Sequence, residues 1–202
     1  MFIIFRTQQW NLLNLHFHKG MEILLTLSDG GKMYINNTVY PIRRGSLFVM
    51  NSMDFHRSEG ASVAQPYQFC AVDFAADEVS GMSDANFDLT ACFTDHRNFN
   101  HRYQLDEEQL EKLMKQLHRL EYYLAPKCAV YGKEVYGKIC LAEILIYING
   151  LYKSAENEAL PPRSKKPLDR VLPVVQYIQE HYAEDLSLEN LAGAFFISKS
   201  QL

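Results

Sequence analysis

The chain of 202 residues lacks paired cysteines, a basic surplus and any long hydrophobic run. Its four cysteines, Cys70, Cys92, Cys128 and Cys140, form no Cys-x-x-Cys pair. That argues against a zinc ribbon or a disulfide framework and leaves isolated, reduced thiols. Lys and Arg number 20 against 24 Asp and Glu, for a net charge of −4. No bulk positive field exists to hold nucleic acid by charge alone. The most apolar stretch, Ile139 to Ile148, is short and interrupted by Glu143, which suits a core helix and not a membrane span. The opening run Met1-Phe2-Ile3-Ile4-Phe5 is too short for a signal peptide. Hydrophobic residues at 48% and charged residues at 22% exclude a wholly disordered chain. A soluble, cytoplasmic protein without membrane contact is expected.

What is present falls into three textures. Between residues 10 and 75 the apolar runs are short and punctuated by turn residues. Leu12 to His18, Glu22 to Leu27, Lys32 to Asn36, Thr38 to Ile42, Leu47 to Met50 and Tyr67 to Phe74 read as strands. Asn36-Asn37 suits a tight hairpin, because Asn enters the left-handed region readily. Many short strands at near-regular spacing predict a sandwich or small barrel. Residues 76–104 carry no firm signal.

The second texture is helical. Leu110, Leu113, Leu117, Leu120 and Leu124 step by three and four along one face. Asp106 and Gln109 form a capping-box pair before them, and Pro126 comes after. A second helix is expected from Tyr131 to Tyr152, with Val135, Ile139, Ala142, Ile146 and Asn149 on one face. A short loop between two helices predicts antiparallel packing. The two stripes serve either to cover the barrel or to form a dimer seam, and spacing alone leaves both open.

The third texture comes after a Pro- and Lys-bearing segment from Glu156 to Pro167, read as a linker. A short helix is expected near Pro173 to Tyr182. Ser187 should cap another carrying Leu188, Leu191 and Ala192 on one face. Ser198 with Gln201 repeats the capping-box pattern, so a further helix is expected to begin at Lys199. This segment reads as the opening fragment of a larger domain.

The chemistry-bearing residues lie near the beginning. His16, His18 and Glu22 share even parity, which on a single strand points them to one face. His56 is a fourth candidate. Imidazoles with a carboxylate suit zinc, iron, manganese or nickel. They equally suit the polar lining of a small-molecule pocket, or histidines satisfied by structural hydrogen bonds. Tyr34 and Tyr40 share even parity within their strands and are candidates for the pocket wall; Arg43 or Arg44 at the rim is a candidate for an anionic effector.

The spacing His-x-His-x-x-x-Glu, with a later His, resembles the two motifs of the cupin barrel. With the strand-rich beginning, the two helices, the linker and the run Tyr177 to Ala192 continuing to Leu202, the chain resembles the AraC/XylS regulators. That resemblance implies an α+β chain: a cupin-like double-stranded β-barrel or jelly roll, two antiparallel helices, then a partial all-α helix-turn-helix segment. The implied division is 1–155 for effector binding and dimerisation, 156–167 for the linker, and 168–202 for the start of a DNA-binding domain.

The implied function is a ligand-responsive, DNA-binding transcription regulator lacking most of its DNA-reading domain, and not an enzyme. Effector contacts fall to His16, His18, Glu22, Tyr34, Tyr40 and His56. Dimerisation falls to Leu110, Leu113, Leu117, Leu120 and Leu124, and DNA contact to Ser198, Lys199, Ser200 and Gln201. The partners implied are a small-molecule effector, a second copy in a homodimer, and DNA for the complete protein but not for this chain alone. Neither a metal nor another cofactor is expected. The competing reading is a metal-dependent cupin enzyme using His16, His18, Glu22 and His56.

Overall fold

Strands whose two faces are both covered lose the in–out alternation of a surface strand, and Ser46–Met50 is buried at every position. The reason is a wall with a different core on each side. The computed structural model describes residues 1–8, 15–36, 38–60, 67–94, 101–155, 174, 177–178, 181–182 and 184–200. The chain divides into two units, Met1–Pro161 and Pro162–Leu202.

In the first unit the strands are β1 (Phe2–Gln8), β2 (Met21–Thr26), β3 (Lys32–Ile35), β4 (Thr38–Pro41), β5 (Ser46–Met50), β6 (His56–Glu59), β7 (Tyr67–Phe74) and β8 (Arg102–Gln104). One antiparallel sheet runs β1-β7-β2-β5-β8 and the other β4-β3-β6. Together with the helices this is the expected α+β, jelly-roll-like architecture. Strands β1, β6 and β8 had no counterpart in the sequence reading, as had two single-turn helices, α1 (Asp77–Ser80) and α2 (Ala91–Thr94).

The larger sheet is the shared wall. On one face Ile23, Leu25, Leu47, Val49, Cys70 and Val72 pack under two long helices. On the other, Leu24, Phe48, Met50, Phe69 and Ala71 meet Met33, Ile35, Tyr40 and Ile42 of the smaller sheet and the loop after it. Asn36 takes φ 52° at the β3–β4 hairpin, as its turn chemistry predicts. Gly31 opens β3 at φ 96°, and a Cβ there would run into the Glu59 carbonyl oxygen. Gly31→Ala is therefore expected to destabilise the unit by about 1–3 kcal/mol. A melting curve superimposable on the parent's would refute that.

The helices are α3 (Glu107–Leu124) and α4 (Lys133–Ala155). The α3 capping box forms as expected. Gln109 N donates to Asp106 Oδ1 at 2.8 Å, and Asp106 N donates to Gln109 Oε1 at 3.1 Å. The helices are antiparallel, since Arg119 bonds Glu143 while Tyr123 stacks on Tyr136 farther along α3 and earlier along α4. Leu110, Leu113, Leu117 and Leu120 all face inward.

The expected α4 stripe does not face the core as a whole. Cys140, Leu141, Ile144, Leu145, Ile148 and Tyr152 are buried, whereas Val135, Ile139 and Ile146 are exposed. Of the expected stripe only Asn149 is fully buried. The helix is apolar on both sides, so periodicity could not choose between them. By length and composition Lys133–Ser154 would suffice to cross a bilayer; its inner face is instead packed within this unit's core.

In the second unit, α5 (Leu188–Ala194) begins as expected, with Ser187 Oγ accepting from Asn190 N at 3.2 Å. Leu191 and Ala192 are buried but Leu188 is exposed, against the expected three-residue face. The helix ends in a Schellman turn: Ile197 N donates to Ala192 O and Phe196 N to Gly193 O, with Phe196 at φ 52°. The expected linker lies outside the described residues, as does most of the expected Pro173–Tyr182 helix.

Candidate functional site

Glu22 is the one acidic residue of β2, and strand alternation turns it to the same side as Leu24, toward the space between the sheets. Its neighbours do not arrive by parity along a shared strand. β2 begins at Met21, so His16 and His18 precede it. His16 is placed by a reciprocal backbone pair with His56: His16 N donates to His56 O at 3.1 Å, and His56 N to His16 O at 2.8 Å. His18 sits before the turn at Gly20, and the absence of a Cβ at Gly20 admits the Asp73 carboxylate. Tertiary pairing thus brings together His16, His18 and Glu22, which sequence parity had grouped for a different reason, with the fourth candidate, His56.

The contacts converge on one oxygen. His18 Nε2 lies 2.9 Å from Glu22 Oε2. His56 Nε2 lies 3.2 Å from the same atom, within ion-pair reach but without hydrogen-bond alignment. His18 Nδ1 is 3.1 Å from Gly20 O and 3.3 Å from Asp73 Oδ2. His56 Nδ1 is 2.8 Å from Asp54 O. The His16 ring stands edge-on to that of His56, with centres 4.4 Å apart. Burial pushes the Glu22 carboxyl up, but bonding to His18 and the nearness of His56 outweigh it and hold it at about 2. The bond to Glu22 raises His18 against the opposing effect of burial.

Asp73 was missed by sequence reasoning. It stands directly across from Glu22 in the sheet register, and two like charges in that relation repel. Burial raises its carboxyl while His18 lowers it. The available signal was parity, since Asp73 alternates with Ala71 and Phe69 on the inward side of β7.

The two tyrosines part company. Tyr40 is buried in the inner core with its ring edge-on to Phe48. Tyr34 is not a wall residue: its hydroxyl donates to Glu59 at 2.7 Å and Arg57 covers its ring from outside. The register pairs Met33 with Tyr40 and Tyr34 with Val39. Parity is kept along a strand but exchanged across this hairpin, so the two even-numbered tyrosines face opposite ways. At the rim, Arg44 is tied to Glu107, and Arg102 donates to Pro41 O at 3.1 Å.

The leucines assigned to a dimer seam are otherwise engaged. Leu110, Leu113, Leu117 and Leu120 belong to the first unit's own core, and Leu124 lies half-buried against Gly137. Ser198, Lys199 and Ser200 are exposed in the second unit, with Lys199 paired to Glu189. Gln201 lies outside the described residues. All four cysteines are free, and burial pushes the Cys70 and Cys92 thiols far above their usual range.

Residues 1–122, which carry the barrel and nearly all of α3, match the AraC-like ligand binding domain. The chain belongs to that family. No curated protein matches it. Among solved structures, the AraC-like chain resembles apo ToxT K231A from Vibrio cholerae, with a TM-score of 0.52 and 9% identity over 99% of this chain and 72% of ToxT. Unsaturated fatty acid-bound ToxT from the same organism gives 0.53 at 12% identity, over 98% of this chain and 68% of ToxT. At such identities the likeness is one of fold. The AraC-like transcriptional activator CuxR is a further match, with a TM-score of 0.49 and 13% identity over 92% of this chain, which spans 59% of CuxR.

Proposed function

We propose that the chain is the effector-sensing part of a ligand-responsive transcription regulator of the AraC/XylS type, acting in the cytoplasm and not as an enzyme. One observation carries the reading. Within the residues that match the ligand-binding family, a polar cluster of His18, Glu22, His56 and Asp73 adjoins an apolar lining of Leu24, Phe48, Phe69 and Tyr40. A few convergent polar groups beside an apolar wall is the composition of a small-molecule site. Effector contact is assigned to His16, His18, Glu22, Tyr40 and His56. Tyr34 leaves that set because it faces outward.

The proposed homodimer uses the outer face of α4, where Val135, Ile139 and Ile146 form an exposed apolar stripe. The division into a sensing domain (1–155), a linker (156–167) and an AraC-type reader segment (168–202) is part of the proposal. Ser198, Lys199, Ser200 and Gln201 are the residues assigned to DNA. Effector binding would shift the population of sensing-domain states that the reader senses.

The test is a thermal-shift titration of the full chain with monosaccharides, aromatic carboxylates and unsaturated fatty acids. A ligand at a hundredfold excess over its Kd should stabilise by about 2.7 kcal/mol. For a chain of this size that raises the melting temperature by roughly 5–10 °C. At least one class is expected to do so saturably, and to do so less well with Glu22→Gln. Silence across the panel would count against an effector pocket.

A further inference from the structure

We propose that His18 Nε2, Glu22 Oε2 and His56 Nε2 bind a divalent first-row transition-metal ion of the zinc type. The inference deepens the effector-site reading and rests on it for one part: the ion is what the effector meets in the barrel. It departs from the sequence expectation of a polar lining without metal.

A backbone carbonyl only accepts hydrogen bonds. His56 Nδ1, 2.8 Å from Asp54 O, must therefore carry its ring proton. His18 Nδ1 faces the Gly20 carbonyl oxygen at 3.1 Å and is fixed in the same way, with Asp73 Oδ2 3.3 Å from the same nitrogen. A ring that carries its single proton on Nδ1 has a bare lone pair on Nε2, and both Nε2 atoms point at one carboxylate oxygen, at 2.9 and 3.2 Å. The three donor atoms lie within 4.8 Å of one another. Three electron pairs aimed together repel unless a cation stands among them.

A proton on His18 Nε2 would relieve only one of the two contacts. His56 would remain. Its side chain is 5% exposed, and its Nε2 is buried with no hydrogen-bond partner and misaligned for donation to Glu22. A buried polar atom left so is costly. One metal ion would satisfy all three electron pairs together.

The donor set selects the ion. Two imidazole nitrogens with one carboxylate oxygen suit zinc, cobalt, nickel or ferrous iron, whereas calcium and magnesium prefer all-oxygen surroundings. A ring N–H donated to a carbonyl or carboxylate is the usual way a ligating histidine is oriented, and both rings have it. Three protein donors leave coordination positions for water or for an effector atom. His18 at 27% and Glu22 at 13% exposure keep a path to solvent.

The test uses the full chain, stripped with EDTA and dialysed. Titration with zinc chloride should give calorimetric binding of one ion per chain with a Kd of about 1 µM or tighter. Cobalt chloride should give a visible absorption band that zinc displaces, and magnesium chloride should give no heat. Glu22→Gln and His56→Gln should each weaken zinc by at least about 100-fold. His18→Ala, at a half-exposed turn position, covers the case in which the buried variants fail to fold, and should weaken zinc similarly.

No cobalt band together with no zinc heat up to about 100 µM, or unchanged affinity in His18→Ala, would overturn the metal site. Running the effector panel on stripped and zinc-loaded protein separates the two readings. Zinc binding without any effector response would sink the effector reading and spare the metal. An effector response of equal affinity in stripped protein would overturn the ion's part in effector binding.

Discussion

Leu117→Glu should abolish cooperative melting of the first unit, while Ile146→Glu leaves its melting temperature within about 2 °C of the parent and shifts the oligomer toward monomer. Both changes put a carboxylate on a long helix, and only the destination differs. Leu117 is 0% exposed, between α4 and the sheet; Ile146 is 54% exposed on the far side of α4. Removing a buried leucine costs about 2–5 kcal/mol. Burying an unpaired carboxyl costs several kcal/mol more, whether it stays charged or takes up a proton. The sum rivals the roughly 5–15 kcal/mol that holds a domain of this kind together. The surface change should cost no more than about 0.5 kcal/mol, and it breaks the apolar stripe to which the dimer is assigned. Circular-dichroism melts and sedimentation velocity at tens of micromolar check both halves. A folded Leu117→Glu monomer would mean that the leucine row, and not α4, is the seam.

That pair of variants also marks where the sequence was readable and where it was not. The α3 stripe could be read because its other face is charged: Glu111, Lys112, Lys115 and Arg119 leave the leucines a single direction. α4 offers no such contrast. Its apolar residues cover both sides, and only packing decides that Leu141 and Leu145 go in while Ile139 and Ile146 stay out. The hairpin at Asn36 was legible through its turn chemistry. Which tyrosine faces inward was not, because that depends on the pairing Met33↔Tyr40, a property of two strands together. Of the polar cluster, His16, His18 and Glu22 were found by composition and parity, and His56 by motif spacing. The route by which His16 and His18 reach Glu22, through pairing with β6 and a turn at Gly20, is tertiary. Asp73 was hidden within an apolar strand whose register no single segment determines.

Asn149 makes the sharpest prediction for the fold. Asn149 was grouped with Val135, Ile139 and Ile146, yet it lies 2% exposed and serves three backbone groups. Its Oδ1 accepts from Cys92 N at 3.0 Å. Its Nδ2 donates to Leu89 O at 2.9 Å and to Leu145 O at 2.8 Å. Leu89 and Cys92 bracket the start of α2, a single turn too short to satisfy its own first N–H groups. Asn149 supplies from α4 what α2 cannot supply for itself. Asn149→Leu keeps the volume and adds apolar surface, so a purely hydrophobic account predicts a gain in stability. The bonding account predicts a loss, because two buried backbone groups are left without partners at about 1–3 kcal/mol each. A net loss of about 2–4 kcal/mol should lower the melting temperature by roughly 5–15 °C. It should also speed hydrogen exchange at the Cys92 amide before that of the α3 core amides. An unchanged or raised melting temperature would mean that α2 is held by Phe93 and Cys92 packing alone, and that the bonds from Asn149 add nothing to it.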